Sequence, residues 1–196
     1  MYLASVLVSV GIVLYAIEMF RGRAQPNRVS WLLWGVLPII TWLASISEGA
    51  GASAILALAL GVGALVIFGL SFFVKQAYWK TTRLDIVCGG CSVLAIAVWA
   101  ITQDGNVAIA LLIVADFLAA APTIVKSYRE PESEHALTYV LSVVGALITI
   151  LTINVWTFAN AAFSIYIFLV AAAIVTCLIV PRRRVEAKSE AAEAEA

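Results

Sequence analysis

Apolar residues run through this chain in long blocks, and polar residues collect in short breaks between them. The first break is RGRAQPNRVSW, residues 21–31, where three arginines and a proline separate two apolar runs. Breaks of this kind mark off seven apolar segments, at about 2–20, 31–47, 54–74, 85–102, 107–125, 136–153 and 156–180. Each is near the roughly 17–25 residues that a helix needs to cross a bilayer. The first segment has no basic residues ahead of it and carries its positive charges behind it, so it reads as a retained span and not as a signal peptide. The predicted fold class is all-α: a polytopic membrane protein with seven transmembrane helices.

Composition agrees with the pattern. The chain is 63% hydrophobic and 12% charged, whereas a soluble domain is about a quarter charged. The formal net charge is zero, which gives no basis for a nucleic-acid partner. The single histidine, His135, lies in a polar loop, so neither a histidine-based metal site nor a catalytic triad is expected. Cys88 and Cys91 form CGGC inside an apolar helix, where cysteine behaves as a small hydrophobe. No cofactor or metal is expected, and no enzymatic activity: paired carboxylates, a histidine cluster and a glycine-rich phosphate loop are all missing from the sequence.

The basic residues report orientation. Arg21, Arg23 and Arg28 follow span 1, and Lys75, Lys80 and Arg83 follow span 3. Lys126 and Arg129 follow span 5, and Arg182, Arg183, Arg184 and Lys188 follow span 7. These are all 12 basic residues, and seven crossings put every one on the same side. By the positive-inside rule that side is the cytoplasm, with the N-terminus outside and the C-terminus inside. The expected location is a bacterial inner (plasma) membrane. Trp31, Tyr78, Trp79 and Tyr128 fall at the expected inner boundary, and Trp99 and Trp156 near the outer one, as rings at headgroup level would. The tail EAKSEAAEAEA is expected to be a solvated or fraying extension.

The first break has a counterpart. A constant shift of 105 sets RGRAQPNRVSWLLW over KSYREPESEHALTY, so that Arg21 meets Lys126, Pro26 meets Pro131 and Trp34 meets Tyr139. The same shift lays spans 1, 2 and 3 over spans 5, 6 and 7. A three-span unit ends on the side opposite its start, so one further span is needed before a second copy can run the same way. Span 4 stands in that place. The expected organisation is 3+1+3: a three-helix repeat at 1–75, a linker helix at 76–105, a second repeat at 106–180 and a charged cytoplasmic tail at 181–196. Parallel repeats of this kind are related by an axis along the membrane normal.

This layout resembles the SWEET, SemiSWEET and PQ-loop superfamily. APTIVKSYREPES (121–133) is similar to the PQ-loop pattern, with Pro122-Thr123 at the Pro-Gln positions. WTFANAAFSIYIFL (156–169) resembles the stretch that carries that family's pocket asparagine, here Asn160. The first repeat departs from the pattern, with Ile17-Glu18 at the Pro-Gln position and Ile55 at the asparagine. The resemblance implies transport of a small polar solute, with sugars as the usual class and amino acids next.

Polar residues inside the spans supply the candidate site. Asp116 lies ten residues before Lys126, so about 15 Å from the inner boundary at 1.5 Å per residue. A mid-bilayer aspartate costs roughly 2.5–3.5 kcal/mol on insertion scales. It must be protonated, hydrogen-bonded to a neighbouring helix, or in contact with water. It is the expected solute contact or proton carrier, with a neutral carboxyl bonded across helices as the plainer reading. Trp34 and Trp42 share a face of span 2 and could wall a cavity or simply pack. Pro38 and Pro122 each free a carbonyl four residues earlier and are candidate hinges. Glu18, three residues before Arg21, is either an interfacial ion pair or a gate.

The expected function is therefore a uniporter or proton-coupled transporter for a small polar solute such as a sugar, working by alternating access between two three-helix bundles. The other class is a non-transporting integral membrane protein, a sensor or partner-binding subunit. The expected partners are the lipid bilayer and the solute, and assembly as a homo-oligomer is left open.

Overall fold

The computed structural model describes residues 2–74, 80–102 and 104–194, without side-chain detail for 181–194 and for parts of the stretch 91–102. Among the described residues there are seven α-helices and no strand: α1 (Tyr2–Phe20), α2 (Arg28–Ser47), α3 (Ile55–Leu70), α4 (Arg83–Thr102), α5 (Gly105–Arg129), α6 (Ala136–Leu151) and α7 (Phe158–Ala194). Short 3-10 turns at Ala52–Ala54 and Pro131–Ser133 lead into α3 and towards α6. Five helices are long and apolar enough to cross a membrane: α1, α2, α5, α3 with its preceding turn, and α7 as far as Val180. α6 is apolar but shorter, at 16 residues. The protein is a membrane-embedded helical bundle.

Local chemistry sets the ends of the elements. Asn27 caps α2, its Oδ1 accepting from the backbone N–H of Val29 at 3.1 Å and of Ser30 at 3.3 Å. Asp104 caps α5 in the same way through Val107 N, at 3.0 Å. Such caps satisfy donors that a helix start leaves unpaired. Gly22, with φ of 73°, makes the turn out of α1 in a conformation that side chains with a Cβ rarely adopt.

α1 shows how a membrane helix divides its surface. Ala4, Val8, Gly11, Tyr15 and Met19 are buried, while Leu3, Val6, Val10, Val13, Ile17 and Phe20 are exposed. Both sets recur at helical spacing. The outward face is as apolar as the inward one, which suits a hydrocarbon solvent and would be costly in water. The inward face includes the small residues Ala4 and Gly11, of the kind membrane helix contacts prefer.

α3 packs against both α1 and α2, and α7 against both α5 and α6. α1 packs on α6 and α2 on α5, while α4 lies to the side, against α5 and α2. Two hydrogen bonds tie the crossed pairs. The Ser30 hydroxyl of α2 donates to Ala119 O of α5 at 2.7 Å, and the Thr138 hydroxyl of α6 donates to Gly11 O of α1 at 2.9 Å.

Several expectations change. α5 runs to Arg129, about a turn past the predicted span, and this carries Lys126 into the helix. α7 continues as a helix to Ala194, so the backbone of the tail, expected as a solvated or fraying extension, is helical. Trp31 does not face outward as a headgroup-level ring would: it is buried against Tyr15, with ring centroids 4.6 Å apart. Tyr128 and Trp156 are exposed as predicted. Lys75, Tyr78 and Trp79, with the side chains of Cys91, Trp99, Arg182, Arg183, Arg184 and Lys188, lie outside the described residues.

Candidate functional site

A cavity of about 70 Å³ lies inside the bundle. Its lining comes from six helices: Ile12 of α1, Trp34 of α2, Leu60 of α3, Asp116 of α5, Tyr139 of α6 and Ile174 of α7 are representative. Among the described residues α4 contributes nothing to it. A water needs roughly 10–15 Å³ of such volume, so the space holds a few waters or one very small molecule.

Asp116 is only 2% exposed. The Tyr166 hydroxyl of α7 donates to its Oδ2 at 2.6 Å, and its Oδ1 has no hydrogen-bond partner. Among the described residues no lysine or arginine lines the cavity. An acid at this depth with one oxygen unpaired is expensive to keep without a function or a bound partner. Trp31, packed on Tyr15, also lines the cavity.

The other residues singled out in the sequence divide by position. Trp34 and Pro38 line the cavity beside Asp116. Trp42 packs on a cluster containing Ala4, Val8 and Phe163, away from the cavity wall. Pro122 is buried in α5, which runs unbroken through it. Asn160 does not line the cavity. It stands at the start of α7, where its Oδ1 accepts from the Ser53 hydroxyl at 2.6 Å and from Gly51 N at 3.3 Å, and its Nδ2 donates to Thr157 at 2.9 Å. Asn160 thus ties α7 to the connection between α2 and α3. Glu18 pairs with Arg21 at 2.9 Å and with Arg23 at 2.5 Å, the exposed ion pair of the plainer reading.

At the opposite end, the one that carries the basic loops, the structure holds a cluster that the sequence does not single out. Lys126, read in the sequence as a surface charge, is 2% exposed and pairs with Glu134, 3% exposed, at 2.7 Å. The ammonium also donates to Gln25 O in the first basic loop, and to Ser133 O at 3.5 Å. Tyr139, which lines the cavity, donates its hydroxyl to Glu134 Oε2 at 2.9 Å. Gln25 N donates to Ser133 O at 2.9 Å. The two basic breaks therefore meet in space, closed over by one buried charge pair. Beyond the pair is a polar surface pocket of about 290 Å³, lined by Glu18, Arg23, Glu132, Glu134 and His135 among others.

His135 contributes a fixed hydrogen. The one proton of the Thr138 hydroxyl goes to Gly11 O, so the contact of Thr138 Oγ1 with His135 Nδ1 at 3.1 Å requires Nδ1 to be the donor. Burial pushes His135 below the ordinary histidine value of 6.5, partly countered by the charge of Glu18. Cys88 is buried, and no group of three or more metal-ligating side chains occurs among the described residues.

No protein-family model, curated protein or solved structure matches this chain. The chemistry therefore has to be read from the cavity and from the ties at the two ends of the bundle.

Proposed function

We propose that this protein is a membrane transporter for a small polar solute, working by alternating access between two three-helix bundles, α1–α3 and α5–α7, with α4 as the linker. The observation that carries this reading is the cavity wall: a buried space containing an acid is lined from all six helices of the two trios, and α4 takes no described part. A solute held there would touch both bundles, so rocking one against the other would expose it to one side and then to the other.

The packing supports the duplication. Exchanging α1 with α5, α2 with α6 and α3 with α7 turns each major contact among these helices into another one present: α1–α6 becomes α5–α2, α2–α3 becomes α6–α7, and α1–α3 becomes α5–α7. The tying hydrogen bonds exchange too, since residue 138 is 108 positions after 30 and residue 119 is 108 positions after 11. The uniform shift of 105 is only an average. α6 starts 108 residues after α2, at 136 against 28, and α7 starts 103 after α3, at 158 against 55. The layout is that of the SWEET and PQ-loop superfamily, to which we attach the chain by analogy. The placement of the basic loops favours a cytoplasmic C-terminus.

In this reading the structure is an occluded state. The Lys126–Glu134 pair closes the cytoplasmic end, and the Asn160–Ser53 tie closes the outer one. Pro38, on the cavity wall, is a hinge where α2 lacks a backbone donor. Reconstitution in proteoliposomes tests the proposal. Saturable uptake of a small polar solute is expected, reduced about tenfold or more by Asp116→Asn, since charge-assisted contacts are the strong ones. Dependence on an imposed pH gradient distinguishes proton coupling from uniport. Uptake by Asp116→Asn equal to wild type would remove the site, and no uptake across sugars, amino acids and amines would remove the function.

A further inference from the structure

The polar groups of the cavity say which solutes it can satisfy. Its hydroxyls are already committed as donors: Thr138 to Gly11 O, Ser142 to Thr138 O, and Tyr139 to Glu134. What is left without a hydrogen-bond partner is one carboxylate oxygen of Asp116, a residue that lines the cavity. The rest is aromatic and aliphatic: Trp34 and Tyr139, with Ile12, Leu60 and Ile174 packed among them. A sugar would bring many hydroxyls into a small space whose own hydroxyls have no proton left to donate, and each unsatisfied group would be costly.

We propose that the cavity binds a small organic ammonium ion, with its charged head on the Asp116 carboxylate and its short alkyl body against the mixed aromatic and aliphatic wall. The inference rests on the transporter reading for its purpose, but the binding site stands on the geometry alone. An isolated carboxylate with no cation on the described cavity wall is completed by a positive ligand. Aromatic faces attract such a head, most strongly where water is excluded. The volume sets the size: an engineered cavity of about 150 Å³ admits benzene, so about 70 Å³ accommodates on the order of three heavy atoms. Propylammonium, with one more, is at the upper end of that size.

The test uses the purified full-length protein in detergent at fixed pH and ionic strength, with propylammonium chloride, propanol and glucose as probes. Thermal unfolding and tryptophan fluorescence are the readouts, since Trp31 and Trp34 line the cavity. Propylammonium is expected to raise the melting temperature and change the fluorescence saturably. Propanol, of the same shape without the charge, and glucose are expected to do neither. Asp116→Asn is expected to weaken propylammonium about tenfold or more, and Tyr166→Phe, which keeps the carboxyl, to retain binding. If Asp116→Asn does not fold, Trp34→Leu carries the test, with binding expected about threefold or more weaker through loss of the ring. Equal binding of propanol and propylammonium, or propylammonium binding unaffected by these substitutions, overturns the proposal. The two readings separate cleanly. Ammonium binding without uptake leaves this site standing and removes transport. Saturable uptake of a neutral solute, without ammonium binding, does the reverse.

Discussion

Lys126 shows what a single residue can hide. In the sequence it is one of twelve basic residues that report orientation. In the structure its charge is buried and consumed by Glu134, Gln25 O and Ser133 O. Nothing in the local pattern distinguishes it from exposed Arg21, because its partners come from two loops and only the fold brings them together. Asp116 was legible for the opposite reason: an acid in the middle of an apolar run is conspicuous however the chain folds. Asn160 was singled out as the pocket asparagine that the resemblance implies, but its partner Ser53 lies 107 residues away, so its position at the bundle end was not legible. The Lys126 arrangement predicts an asymmetry. Lys126→Met leaves Glu134 and the Tyr139 hydroxyl around an uncompensated buried charge, and should destabilise by about 3–5 kcal/mol. The double substitution Lys126→Met, Glu134→Gln removes both charges and should recover most of that. Thermal unfolding in detergent measures both. A double variant as unstable as the single one would show that the pair itself, and not the orphaned charge, holds this end together.

At the level of helices, the sequence carried most of the information, and physics says why. In hydrocarbon every backbone polar group must be satisfied within the segment, so an apolar run long enough to span has little alternative to a helix. The errors fall where that constraint lapses. α5 continues about a turn past the predicted boundary because Lys126 finds buried partners and, with Arg129, suits a helix C-terminus. The α7 backbone continues into the alanine- and glutamate-rich tail, whose residues are good helix formers without a lipid face to require them. Helix pairing was not readable from hydropathy, since apolar faces look alike on all sides. It is set by small residues. At the α1–α6 crossing a Cβ on Gly145 would meet Ala4 O at 3.0 Å and Val8 Cγ2 at 3.0 Å, and one on Gly11 would meet Thr138 O at 3.2 Å. The backbones touch because both positions lack side chains. Gly145→Leu should therefore destabilise by about 1–3 kcal/mol through overpacking, despite leucine's better helix propensity. A melting temperature at or above wild type would mean that α1 and α6 can separate without loss.

For the whole molecule the deciding property is that the two ends of the bundle are tied by different chemistry: an amide tie at Asn160 and Ser53, and a buried charge pair at Lys126 and Glu134. If these are closures of an alternating-access device, loosening one should open one side only. Ser142 lines the cavity and can report this as Ser142→Cys in a chain whose three native cysteines are replaced by serine. In oriented vesicles a membrane-impermeant thiol reagent should label the introduced thiol slowly from either side. Asn160→Ala, which loses the bonds to Ser53, Gly51 and Thr157, should speed labelling from the outer side. The double substitution Lys126→Met, Glu134→Gln should speed it from the cytoplasmic side. An increase of about tenfold is expected for each, the effect of a shift near 1.4 kcal/mol in the opening equilibrium. The pattern across sides carries the argument, because a bundle that merely loosens would admit reagent from both sides in both variants. That outcome would make the ties structural and the cavity a packing defect. Side-selective labelling would give each end of the bundle its own door, with Asp116 held between them.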